Sequence, residues 1–344
     1  MRPFHIADFL PAIRWWVMLA VLTAPGLAPA ETWKVAAGAQ NATKDRQAFA
    51  FLPNELWIHT GDALAWQVES DEMHTITFLK PAAVRPTFQT GCPGTTPNGS
   101  PFDGTACVNS GTLVSGQSYR VNFPTHGNFK LACLVHANMT GTIHVLDFPA
   151  TLPHDQNFYD AEAVQRRRKL FDLSIAIFNP ILFRDDDSQL REARLAPMGI
   201  TTSKEVVAGL GGIVATPGGT DTVAIMRFLQ PVTYVHVGDT VEWRNFDPVT
   251  PHTITFGTEP PNPNPPSSNI TADPDGAEHA TVDAATDSVN SGFIVAAPQD
   301  RIGLAQSPPG VTRFRVTFTK PGIFNYICAL HDTLGMVGAV VVLP

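Results

Sequence analysis

The chain has 344 residues, enough for two domains with separate cores, and 44% of them are hydrophobic against 16% charged, which excludes a disordered protein. A formal charge of −8 argues against nucleic acid as a partner, because phosphate binding needs a basic face. The 30 prolines and 26 glycines fit a loop-rich all-β chain better than a helical one.

Residues 1–30 read as a secretory signal peptide: Arg2 and Arg14, a short apolar run over 15–22, and Ala28-Pro29-Ala30 before a cleavage point near Ala30. An uncleaved membrane anchor is the alternative, but the uncharged stretch is short and broken by Pro25 and Pro29. No later segment is apolar enough to span a bilayer, so the mature chain is expected to be secreted or periplasmic.

From residue 51 onward the pattern is one of short strands. Runs 57–58 and 63–68 flank the turn Thr60-Gly61-Asp62, and strands are expected over 73–79, 119–123, 129–134 and 140–146. The turn Pro124-Thr125-His126-Gly127 leads into the strand that ends at Cys133. Cys92 and Cys107 have no histidine nearby; in a secreted chain they are expected to form a disulfide closing a Pro/Gly/Thr-rich insertion, with two free thiols as the alternative. A helix is expected over 160–172. Its Arg166-Arg167-Arg168-Lys169 run reads as a solvated helix face in preference to a docking patch for an acidic partner. Further strands follow over 235–243, 253–256, 312–318, 324–327 and 337–343, with a Pro/Asn-dense loop over 259–274 and the turn Lys320-Pro321-Gly322.

The two halves repeat each other. FLPNELWIHTGDALAW at 51–66 and FLQPVTYVHVGDTVEW at 228–243 share Phe, Leu, His, Gly, Asp and Trp at an offset of 177; HTITF recurs at 178, and Val-Asn-Ser-Gly at 108–111 recurs at 289–292. The cysteines recur at an offset of 195, so the second copy carries extra residues, expected around 296–310. Each copy holds the same four chemical groups: His74, Cys133, His136 and Met139 in the first, His252, Cys328, His331 and Met336 in the second. Two imidazoles, a thiolate and a weak axial thioether form the ligand set of a blue-copper site. Structural zinc sites seldom use methionine, so zinc is the weaker reading.

On these residues the chain resembles the cupredoxin family, the plastocyanin-like blue-copper proteins. Cys133-Leu-Val-His136-Ala-Asn-Met139 has the short loop spacing of amicyanins, and Cys328-Ala-Leu-His331-Asp-Thr-Leu-Gly-Met336 that of plastocyanins and pseudoazurins. The resemblance covers about residues 33–147 and 205–344. It implies an all-β chain of two tandem Greek-key β-sandwiches, over 31–150 and 201–344, joined by a partly helical linker over 151–200. It also implies a copper ion near one end of each sandwich, with the ring edges of His136 and His331 near the surface as the route for electrons. Thr75 and Thr253 depart from the family, which has asparagine after the first histidine in plastocyanin.

The expected function is therefore extracytoplasmic electron transfer through two type-1 copper sites, with an unidentified redox protein, a cytochrome or copper enzyme, as partner. The rival is a copper-dependent oxidoreductase, a two-domain multicopper oxidase or nitrite reductase with a further copper between domains or subunits. Those families place a histidine beside the type-1 cysteine. Here Cys133 lies between Ala132 and Leu134 and Cys328 between Ile327 and Ala329, and no His-x-His pair occurs. Copper delivery or storage would call for Met/His-rich tracts, which are lacking. His59 and His236 occupy equivalent positions and read as exposed strand histidines before a second metal site; His126, His144, His154 and His279 are given no role.

Overall fold

A computed structural model of the protein describes residues 30–85, 92, 94–182, 204–297 and 311–344. The expected signal segment, up to residue 29, and most of the expected insertion, residues 298–310, lie outside the described residues. No described helix is long and apolar enough to cross a membrane.

Each repeat builds a five-stranded sheet of the same order. In the first, Glu55–His59, Thr140–Leu146, Gly127–Ala132, Thr77–Phe78 and Val108–Asn109 lie side by side. In the second, Val232–His236, Val337–Leu343, Gly322–Ile327, Thr255–Phe256 and Val289–Asn290 do the same. The expected single run over 235–243 is two strands, Val232–His236 and Thr240–Phe246, because the Gly238-Asp239 turn separates them. Alternation of buried and half-buried residues along Thr140–Leu146 and Arg313–Phe318 turns one face of each sheet to a core. Trp66 and Trp243 sit fully buried at equivalent places in the two cores.

The facing sheets of the two sandwiches are one continuous sheet of eleven strands. Its centre is formed by Thr32–Gln40, Arg46–Leu52, Glu205–Thr216 and Gly219–Leu229, and the join is antiparallel pairing of Arg46–Leu52 with Gly219–Leu229. In that join Gln47 faces Ala224, Arg46 faces Ile225 and Ala48 faces Val223. Applying the repeat offset of 177 maps the first pair onto itself and exchanges the other two. The two domains are thus packed about an internal two-fold axis through Gln47 and Ala224, the self-complementary contact of a symmetric dimer made within one chain. Bonds between the repeats hold it: Thr142 Oγ1 donates to Gly218 O, Thr220 N to Thr140 Oγ1 and Arg227 Nη2 to Thr43 O.

The helix spans Gln156–Leu182, longer at both ends than expected, and packs on the continuous sheet beside the join. Tyr159 and Leu170 are buried beneath it, Leu170 among Ala48, Leu52, Val223 and Ile225. The Arg166–Lys169 run is not simply a solvated face. Arg166 donates from Nε to the fully buried Asp221 at 2.7 Å, and Arg167 pairs with Glu69. A buried carboxylate without a partner is costly, which is why the helix carries arginine at this position.

Candidate metal centres

The donors of each set converge at one end of each sandwich. The cysteines follow the last ladder residues of Gly127–Ala132 and Gly322–Ile327, and a tight turn brings histidine and methionine back: Cys133 N donates to Met139 O and Cys328 N to Met336 O, at 2.9 and 3.0 Å. The second turn includes a short 3-10 helix, Asp332–Leu334, ended by Gly335 in the left-handed conformation (φ 87°). The other histidine of each set comes from a separate segment, held by a single antiparallel bridge, His74 to Leu113 and His252 to Ile294. His74 and His252 are fully buried, as are Cys133, Cys328, Met139 and Met336.

The donor atoms of His74, Cys133 and His136 lie within 4.8 Å of one another, as do those of His252, Cys328 and His331. The Nδ1 atoms of the two imidazoles are 3.2 Å apart in the first set and 3.1 Å in the second. Sulfur-to-Nδ1 separations are 3.9 Å for Cys133–His136, and 3.8 and 3.3 Å from Cys328 to His252 and His331. A tetrahedral ion about 2.0 Å from nitrogen and about 2.3 Å from sulfur spaces those donors at roughly 3.3 and 3.6 Å. Both sets fit a first-row metal ion, and a thiolate with two imidazoles suits copper.

Backbone N–H groups are aimed at each sulfur. Thr75 N and His136 N donate to Cys133 Sγ at 3.4 Å, and Thr253 N donates to Cys328 Sγ at 3.3 Å. Thr75 and Thr253 also tie the cysteine strand, since their Oγ1 atoms accept from Leu134 N in the first site and Ala329 N in the second, both at 2.8 Å. Burial pushes the Cys133 thiol up, but His136 and His74 outweigh this and hold it well below its ordinary value. Burial holds His74, His252 and His331 down as neutral rings, the form that ligates a metal. His136 goes the other way: burial is outweighed by Cys133 and Glu72, which push it up to about 9.

Four supporting features are absent from the sequence reading. Gly38 and Gly209 stand at bulges in Thr32–Gln40 and Glu205–Thr216, both at positive φ. A Cβ there would sit 2.2 Å from His74 Nε2 and 2.0 Å from His252 Nε2. Glycine lets the backbone close over each ring, and the recurrent Ala-Gly at 37–38 and 208–209 was the available signal. Ser70 Oγ holds His74 Nε2 at 2.9 Å, whereas His252 Nε2 is buried without a hydrogen-bond partner, so the two sites are not identical. Phe49 stacks on His136 with ring centroids 3.8 Å apart.

The fourth feature corrects an expectation. The rings of His136 and His331 are not at the surface; each residue is 4% exposed. The two-fold packing turns the ligand loops toward each other, with Leu334 and Met226 of the second repeat joining the first core. Glu72 stands between them. Its Oε2 is 3.7 Å from His136 Nε2 and its Oε1 3.5 Å from His331 Nε2. Burial raises Glu72, yet the adjacent His136 and the charges of His331 and His74 bring it down to about 2.

Elsewhere, Cys92 and Cys107 form a disulfide. His59 Nε2 bonds Ala150 O at 2.7 Å, and His236 stands exposed on Val232–His236. His144 contacts Asn128 and Glu55, and His279 contacts Asp273.

Each of the paired β-sandwiches thus carries a buried His₂Cys donor set that fits a metal ion. Residues 216–343 match the family of copper binding proteins described as plastocyanin/azurin, and the second domain is a copper-binding domain of that family. Among solved structures, the chain is similar to amicyanin from Paracoccus versutus, with 18% identity over 35% of this chain and 85% of that one and a TM-score of 0.23. It is likewise similar to a Cu(I) point mutant of amicyanin, with 17% identity over 33% of this chain and 82% of that one and a TM-score of 0.23. No curated protein matches.

Proposed function

We propose that the protein is an electron-transfer protein holding two type-1 copper ions, one in each of two cupredoxin domains over 31–150 and 201–344, with the helix-bearing segment 151–200 between them. The observation that carries this reading is the pair of buried His₂Cys sets, each with a methionine on the same turn. His74, Cys133, His136 and Met139 hold the first ion, and His252, Cys328, His331 and Met336 the second. Bound copper supplies reversible one-electron exchange between Cu(II) and Cu(I). The chain supplies a dry, prebuilt cage: N–H groups stabilise each thiolate, Gly38 and Gly209 fit the backbone over the buried histidines, and the continuous sheet fixes the ligand strands. A rigid cage changes little when the charge at its centre changes, which suits a carrier.

The partner is a redox protein, and the disulfide supports a location outside the cytoplasm. Anaerobic titration of the copper-loaded protein with a chemical reductant, followed by visible absorption and electron paramagnetic resonance, tests the reading. Two reversible one-electron steps that bleach the thiolate band support it. Sustained oxygen or nitrite turnover that tracks a third copper and vanishes in His59→Ala or His236→Ala replaces it with an oxidoreductase.

A further inference from the structure

Glu72 lies two residues before His74, in the first repeat, yet its carboxylate faces one histidine from each metal centre. Two residues before His252 the second repeat has Thr250, and the neighbouring Val249 is packed against the first core, so no second acid matches Glu72 and the internal two-fold is broken here. The Glu72 side chain is 11% exposed and those of His136 and His331 5% each, so little water competes for this contact. A carboxylate can only accept, so the ring nitrogen facing it carries the proton. That assigns Nε2–H to both rings and makes Nδ1 the atom each ring turns toward the other donors of its set. At 3.5 and 3.7 Å these are ion-pair separations, and the carboxylate acts on the rings by its charge.

Resting on the two-metal reading above, we propose that Glu72 is a positioning residue shared by both metal centres: one carboxylate fixes the tautomer and orientation of His136 and His331 together and couples the two sites into a single unit. His136, Glu72 and His331 then form a continuous run of side chains from one ligand set to the other, in place of two independent histidine edges facing solvent. Partners of this kind around a ligating histidine are worth roughly 10–100-fold in metal affinity. An acid of the first domain therefore governs affinity in the second.

The test uses Zn²⁺, a redox-silent probe, titrated calorimetrically into the full-length protein in Cys133→Ser and Cys328→Ser backgrounds, which leave one site each. Glu72→Ala is expected to weaken both remaining sites by about 10–100-fold. Ser70→Ala, which removes only the partner of His74 Nε2, is expected to weaken the first site alone. Glu72→Gln is near-isosteric and keeps one acceptor oxygen, so it is expected to rescue one site and not the other. A Glu72→Ala effect confined to the first site, or absent from both, overturns the proposal. A second readout needs no metal. In the metal-free protein, nitrogen-15 resonances of the His136 and His331 rings are expected to move together in Glu72→Ala and Glu72→Gln, and movement of one ring alone, or of neither, overturns the shared role. Failure of the single-site parents to bind any metal counts against the two-metal reading, and the ring resonances then decide on Glu72 by themselves.

Discussion

Gly209→Ala adds one carbon at the point where the backbone closes over the second metal centre. The new Cβ would sit 2.0 Å from His252 Nε2 and 2.4 Å from its Cδ2. Ordinary contact begins near 3.4 Å, so the ring or the strand must retreat by roughly 1.4 Å. His252 is fully buried and held by backbone bonds in both directions with Ile294, which leaves no free space to retreat into. Overpacking of this kind costs about 1–3 kcal/mol. Residue 209 also has φ +84°, where a side chain adds about 1–2 kcal/mol. Unfolding of the metal-free protein by denaturant should therefore show a loss of about 2–5 kcal/mol. In the loaded protein the second site should lose copper affinity on the order of 100-fold, the scale seen when a ligand's supporting shell is disturbed. Copper titration followed by visible absorption separates this from global damage, because the first site should fill and colour normally. A Gly209→Ala protein that takes up copper at both sites with wild-type affinity, and is destabilised by less than about 1 kcal/mol, would refute the cradle argument.

Cys133→Ser and Cys328→Ser should each remove about half of the thiolate-to-copper absorption and leave the other domain coloured; bleaching of the whole chain by either would mean a shared site. Asp221 is pushed up to about 6 by burial, against Arg166 and Asn54, so the folded chain keeps a proton between pH 4 and 6 that the unfolded chain has released. Its contribution to stability is therefore fullest near pH 4 and falls, by up to about 3 kcal/mol, as pH rises to about 6. Asp221→Asn should lack that decline, and parallel denaturation curves for the two proteins across this range would contradict the assignment. Reducing the Cys92–Cys107 disulfide should loosen the loop it closes, worth about 3 kcal/mol in the chain-entropy model, without bleaching either copper; loss of colour on selective reduction would place the loop in the metal sites.

Fold class was legible because short alternating runs such as Thr140–Leu146 and Val337–Leu343 carry their own period, and because the repeat is strong enough to count domains. The pairing of each cysteine with the histidine three residues on was legible from spacing, since a strand end and a tight turn fix where those donors can lie, and His74 and His252 joined them through the repeated His-Thr-Ile-Thr-Phe string. The inner strands Thr32–Gln40 and Glu205–Thr216 were not. Their Ala- and Gly-rich sequences lack β-branched alternation, and what makes them strands is pairing with partners far along the chain. The internal two-fold was hidden for the same reason. Packing of one repeat on the other is a property of surfaces, and nothing local marks Gln47 and Ala224 as its axis. Glu72 and Arg166 look like ordinary surface charges until that packing buries them against His136, His331 and Asp221. Burial of the histidine edges follows from the same contact.

Copper content and visible absorption of the purified protein, measured on the same sample, bear most directly on the presence of two type-1 centres. The expected result is two coppers per chain and an intense band toward the red end of the visible spectrum that rises in proportion until both sites are filled. A stoichiometry of one, or a protein that binds copper and stays colourless, would contradict it.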